Sequence, residues 1–137
     1  MSLSLRDMMA RARPAVGDIA PDAAAAAVEA GEFDLVIDVR EPGEFAELHL
    51  AGATCIPRGL LERRADPSSP SADSALAGNH SARILVYCTK GPGARSLLAG
   101  ETLTTMGFER VETRAGGLVA WSEAGLPVHG TGVSGAG

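Results

Sequence analysis
The chain has 137 residues, 45% of them apolar and 21% charged, which suits one globular domain with its own core and excludes an extended disordered protein. Aromatic residues make up only 4%, so the core must rest on Ala, Val, Leu and Ile. The net charge of −5 argues against a broad nucleic-acid surface, which needs clustered Lys and Arg, and no apolar run approaches the ~20 residues that cross a bilayer.

Residues 1–16 read as a mixed lead-in to a domain over 17–129, with a disordered Gly-rich tail over 130–137. Charges are scattered through MSLSLRDMMARARPAV, which does not read as a secretory signal. Cys55 and Cys88 are expected to be free thiols, and the protein is expected to be cytoplasmic. Pro21 to Ala30 reads as a helix, with Pro21 and Asp22 at its start and Gly31 after its end. Phe33 to Val39, FDLVIDV, is a short apolar run of the kind buried on both faces of a parallel sheet. Pro42 is placed to open a short helix, Thr54 to Ile56 reads as a second strand closed by Pro57, and Gly59 to Arg64 as another short helix.

Residues 65–82, ADPSSPSADSALAGNHSA, form a surface excursion whose composition reads as a connector, with a lid as the alternative. Arg83 to Tyr87, RILVY, is the most strand-like segment of the chain. A helix follows the next loop, with Ala99, Leu103 and Met106 on one stripe, Leu98 and Thr102 widening it, and Gly107 ending it. Val111 to Thr113 reads as the last strand, and Gly117 to Ala124 as a helix anchored in the core by Trp121. Strands that alternate with helices predict an α/β domain with a largely parallel sheet.

The informative stretch is RILVYCTKGPGARSLLA. It puts Cys88 at the carboxyl end of a buried strand, ahead of a Gly-rich loop and a helix, where open α/β sheets bind ligands. Gly91 and Gly93 let the loop curl its N–H groups inward. The helix from Ala94 adds the positive end of its dipole, and Lys90 and Arg95 add full charges. Each favours a thiolate at Cys88 and would hold an anionic substrate. A free cysteine after a strand can be mere packing; the loop, the two cations and the helix start together make the functional reading the stronger. Cys55, in an apolar strand with no basic neighbour before Arg58, reads as packing.

These residues and three further segments resemble the rhodanese homology domain. Asp38-Val39-Arg40-Glu41 with Glu44-Phe45 is similar to its D-V-R-x-x-x-E-[FY] pattern. His49 to Ala53 with Ile56-Pro57 is similar to H-I-x-G-A…I-P, and Gly116-Gly117, Trp121 and Gly125 to Val128 match the G-G…A-W…G-L-P ending. The resemblance implies a five-stranded parallel sheet flanked by helices. It implies that Cys88 is the nucleophile and that Thr89, Lys90, Gly91, Pro92, Gly93, Ala94 and Arg95 surround the substrate. Sulfur would come from a small anionic donor such as thiosulfate, rest on Cys88 as a persulfide, and pass to a thiophilic acceptor: cyanide, a thiol or a protein thiol. No cofactor or metal is implied.

Three residues are expected to support the site. By resemblance Asp38 orders the loop; Arg40 either guides anions or forms an ion pair; Arg58 reaches toward the mouth. His49 reads as structural, His80 and His129 are isolated, and Glu41, Glu44 and Glu47 read as a solvated face. The loop departs from the family pattern. Six residues separate Cys88 from Arg95, more than in the common C-x-x-G-x-R-S sulfurtransferase loop and one more than in C-x5-R phosphatases and arsenate reductases. Two alternatives to sulfur transfer therefore stand: oxyanion chemistry in an enlarged loop, and a non-catalytic sulfur-relay or interaction module.

Overall fold
The computed structural model describes residues 2–90, 93–114 and 116–131. Five strands make one parallel sheet: β1 (Gly17–Ile19), β2 (Leu35–Asp38), β4 (Thr54–Cys55), β5 (Arg83–Tyr87) and β6 (Arg110–Arg114), in the order β1-β6-β5-β2-β4. β5 and β2, the two apolar runs read from the sequence, lie side by side in the middle, where both faces are covered. Two-residue strands β3 (His49–Leu50) and β7 (Val128–His129) pair antiparallel as a separate clasp.

Helices cover both faces. α2 (Pro21–Glu29) and α6 (Gly117–Glu123) pack with Tyr87, Leu50 and Trp121 on one side. α4 (Leu61–Ala65) and α5 (Ala94–Thr105) cover the other, over Ile37, Val39, Ile84, Val86 and Cys88. α3 (Pro42–Glu47) follows β2 and begins at Pro42 as expected, because proline suits the first helical turn.

Within the lead-in, α1 (Leu5–Ala12) forms and packs on α5, with Ala12 fully buried. A capping box starts it: the Ser4 hydroxyl accepts the Asp7 N–H and the Asp7 carboxylate accepts the Ser4 N–H. The buried stripe of α5 is Ser96, Leu97, Ala99, Gly100 and Leu103. Leu98 and Thr102 are only half-buried, because α5 is covered by the sheet and also by α1 and so turns a different flank inward. Strands β1, β3 and β7 carry too few residues to show a period.

The 65–82 excursion is a connector. Leu76 and Ala82 enter the core beside Leu61 and Ala65. The His80 ring packs edge-on against the Phe108 ring at 5.1 Å, and the His80 carbonyl accepts the Glu109 N–H. These contacts hold it beside the segments leading into β5 and β6, at the opposite end of the sheet from Cys88. At the other terminus, Thr131 donates its N–H to the Ala46 carbonyl, so the expected tail is anchored through this residue; 132–137 lie outside the described residues.

Candidate active site
β5 delivers Cys88 to the carboxyl edge of the sheet, and the chain turns at once because α5 must start seven residues after β5 ends. Cys88 is 4% exposed. Its Sγ lies 3.2 Å from the Lys90 carbonyl and 3.4 Å from the Ser96 hydroxyl, which itself donates to Gly93 O at 3.1 Å. Gly93 caps α5 and Ser96 ends its first turn, so the sulfur rests on the helix start, where N–H groups lack helical partners. A Cβ at 93 would stand 2.6 Å from Sγ and 2.6 Å from Lys90 O. Only glycine allows the loop to close this tightly on the thiol.

A second helix holds the loop from the other side. Leu118 N–H donates to Cys88 O at 3.0 Å and Val119 N–H to Thr89 O at 2.9 Å. Gly117 makes this approach possible: its φ is +55° and a Cβ there would stand 2.6 Å from Cys88 O. The Gly116-Gly117 pair, legible in the sequence only as part of a family ending, therefore clamps the cysteine loop.

Arg95 lies in the first turn of α5. Its guanidinium makes a two-pronged pair with Glu44, Nη1 to Oε1 at 2.7 Å and Nη2 to Oε2 at 3.3 Å, and Nη2 also reaches the Thr89 hydroxyl at 3.3 Å. Glu44 Oε1 accepts the Glu41 N–H at 3.0 Å in the first turn of α3. The Arg95 guanidinium, and then the Glu41 N–H, hold the Glu44 carboxyl below its ordinary range. Glu44 thus departs from the solvated face expected for it. The signal that could have found it is the E-P-G-E capping box, which fixes the carboxylate at a helix start. Lys90 is exposed and belongs to no ion pair among the described residues; Ala94 and Thr89 are half-buried. Gly91 and Pro92 lie outside the described residues.

Among the described residues, none of the three supporting residues makes a hydrogen bond to the sulfur. Asp38 and Arg40 form a buried pair at 2.8 Å, with side chains 0% and 6% exposed. Asp38 also accepts the Arg40 N–H, and Arg40 donates to Leu48 O. Burial works against the Arg40 charge, but the Asp38 carboxylate outweighs it and keeps the guanidinium protonated. This pair braces the β2 end and the segment leading into β3. Tyr87 lies beside it: its hydroxyl accepts the Leu50 N–H at 3.1 Å, and burial, with the Asp38 charge adding to it, pushes its phenol far above the ordinary tyrosine value. Arg58 is bound to Glu62 and to the Thr102 hydroxyl at 2.8 Å, two turns along α5 from the site.

His49 is structural, as expected: its Nδ1–H donates to Phe45 O at 2.7 Å and its ring stacks on Phe45. Cys55 is half-buried, donates to Arg40 O at 3.7 Å, and its thiol is pushed up by burial. It stands in register with Asp38, on the sheet face of Tyr87, while Cys88 packs on the α5 face. Among the described residues no group of His, Cys, Asp and Glu is arranged to hold a metal, and no helix is long and apolar enough to cross a membrane.

Comparison with known proteins matches most of the chain to one family. A family model, the Rhodanese-like domain, matches residues 20–124. A sulfurtransferase of Allochromatium vinosum is 31% identical over 94 residues, covering 69% of this chain and 77% of that protein. Thiosulfate sulfurtransferase 16 of Arabidopsis thaliana is 36% identical over 94 residues, 66% of this chain and 76% of that protein. Among solved structures, a Rhodopseudomonas palustris protein of unknown function, described as a possible tyrosine phosphatase, superposes with a TM-score of 0.85 at 29% identity, over 94% of this chain and 96% of that one. The family match over most of the chain, the parallel sheet with its cysteine loop at the carboxyl edge, and the sulfurtransferase relatives agree: the chain belongs to the rhodanese-like family.

Proposed function
We propose that the protein is a sulfurtransferase that carries a sulfane sulfur on Cys88. The Cys88 thiolate attacks the outer sulfur of a donor, thiosulfate or a similar sulfane compound. The donor S–S bond breaks, and its remainder leaves with the electron pair, as sulfite from thiosulfate or a thiolate from an organic persulfide. An acceptor thiolate or cyanide then attacks the outer sulfur of the Cys88 persulfide, and the Cys88 thiolate returns as the leaving group. Two half-reactions on one nucleophile give ping-pong kinetics.

The observation that carries this reading is Sγ seated on the first turn of α5, closed in by Gly93 and beside Ser96. The helix start favours negative charge on sulfur. The Ser96 hydroxyl, now turned to Gly93 O, can rotate to donate to Sγ once the thiol proton has gone. The rival reading, phosphate or arsenate chemistry, needs Arg95 to clamp a tetrahedral oxyanion; its fork is already filled by Glu44.

Intact mass spectrometry after exposure to thiosulfate, and separately to a small alkyl persulfide, tests the proposal. A gain of ~32 Da, mapped to Cys88, removed by cyanide and absent in Cys88→Ser, is the expected result. No adduct from either donor, with Cys88 still alkylatable, overturns it and sends the search to phosphate esters and arsenate.

A further inference from the structure
We infer that Glu44 is a specificity-determining residue that closes Arg95 to tetrahedral dianions, so that the preferred sulfur donor is an organic persulfide without an oxyanion head. The inference rests on the proposed sulfur transfer at Cys88 and names the donor class for it. Arg95 is the loop cation best shaped to grip a sulfonate or phosphate group, because a guanidinium presents parallel N–H donors to two oxygens. Glu44 presents just such a pair of oxygens, at 2.7 and 3.3 Å. A carboxylate brought from α3, 51 residues away in the chain, thus occupies the place a tetrahedral oxyanion would take on that guanidinium.

The blocking group is held in place. Glu44 Oε1 is fixed at the start of α3 by the Glu41 N–H, and Arg95 is fixed in the first turn of α5 and by Thr89. Thiosulfate would have to displace Glu44 from Arg95, or lie against it with two like charges in contact. A persulfide of the form R–S–S–H meets neither obstacle. Its outer sulfur needs only to reach Cys88, and its departing R–S thiolate carries a single charge. Lys90, exposed and unpaired among the described residues, remains as a diffuse attraction for thiosulfate or a persulfide alike.

Glu44→Gln tests this directly, since glutamine keeps an oxygen for the Glu41 N–H and loses the charge. The first readout is the ratio of kcat/KM for thiosulfate to that for a neutral alkyl persulfide. It should rise about tenfold in the variant, the size of one charge-assisted hydrogen bond between Arg95 and the oxyanion. The second is protection of Cys88 from iodoacetamide by sulfate, which needs no sulfur transfer; the half-protecting sulfate concentration should fall about tenfold. Where Glu44→Gln does not fold, Glu44→Asp, too short to span both guanidinium nitrogens, should move both readouts the same way by a smaller factor. An unchanged donor ratio together with unchanged sulfate protection overturns the inference and leaves Glu44 as a brace for the loop. If no donor loads Cys88 yet sulfate protection tightens, the closure of Arg95 stands and sulfur transfer is what fails.

Discussion

Two arginine–carboxylate pairs flank the carboxyl edge of the sheet, and their lengths are almost the same: 2.8 Å for Arg40–Asp38 and 2.7 Å for Arg95–Glu44. Their surroundings differ. The first pair is 6% and 0% exposed, the second 40% and 37%. Burial makes the first a brace, because a lone charge there would have no water to turn to. Exposure makes the second worth little to the fold, because water can satisfy either partner where the pair is broken. Both carboxylates come from one short motif, Asp38 at the end of β2 and Glu44 in α3. The intervening turn at Pro42 sends one inward and the other to the mouth of the site. Bond length therefore says little about what an ion pair does; the water around it decides.

The largest expected effect comes from breaking the buried member. Asp38→Ala leaves Arg40 charged and buried without its partner, so unfolding free energy should fall by about 3–5 kcal/mol in urea titration. A loss below about 1 kcal/mol would put this pair in the same class as the exposed one. The loop between the pairs gives the next effect. Gly117→Ala forces a Cβ onto Cys88 O at a positive φ, which should cost about 1–3 kcal/mol and slow persulfide formation by displacing the cysteine. Normal loading in that variant would mean that α6 does not hold the loop in register. The smallest effect is acid titration of Glu44. Its carboxyl is held below the ordinary 4.5, so its pairing with Arg95 stabilises the fold fully above pH 4.5 and is lost as pH falls below that value through the lowered one. Because both partners are over a third exposed, the stability change should stay under about 1 kcal/mol, while sulfate binding, followed by calorimetry from pH 6 downward, should strengthen as Glu44 takes up its proton. Sulfate affinity that stays flat over this range would show that the exposed pair, too, does not exchange.

Much of the frame was legible in the chain itself, because the signals are local. FDLVIDV and RILVY are short β-branched runs, and they form the paired central strands β2 and β5. Pro21 and Pro42 open helices where proline geometry demands it. Cys88, its glycine-bearing loop and the following helix could be read together because they are consecutive, and the structure seats Sγ on that helix. Trp121 was legible as a core anchor because a large apolar ring among small residues has few other places to go. The family motifs added the order of these parts.

Tertiary packing decided the rest. β1, β3 and β7 have two or three residues each and exist only because a partner strand lies beside them; β3 and β7 meet across 78 residues or more of chain. Arg40 and Arg58 look alike in sequence as cations near the site, yet one is buried against Asp38 and the other is held by Glu62 and Thr102. Glu44 can be placed at the start of a helix from its capping box, but its partner is fixed only when α3 is set against α5 and its carboxylate meets Arg95. Composition, periodicity and turn chemistry act between neighbours in the chain and so determine which segments become strands, helices and a cysteine loop. A charge takes its role from whichever group and how much water the fold puts next to it, and that is settled only when distant segments pack.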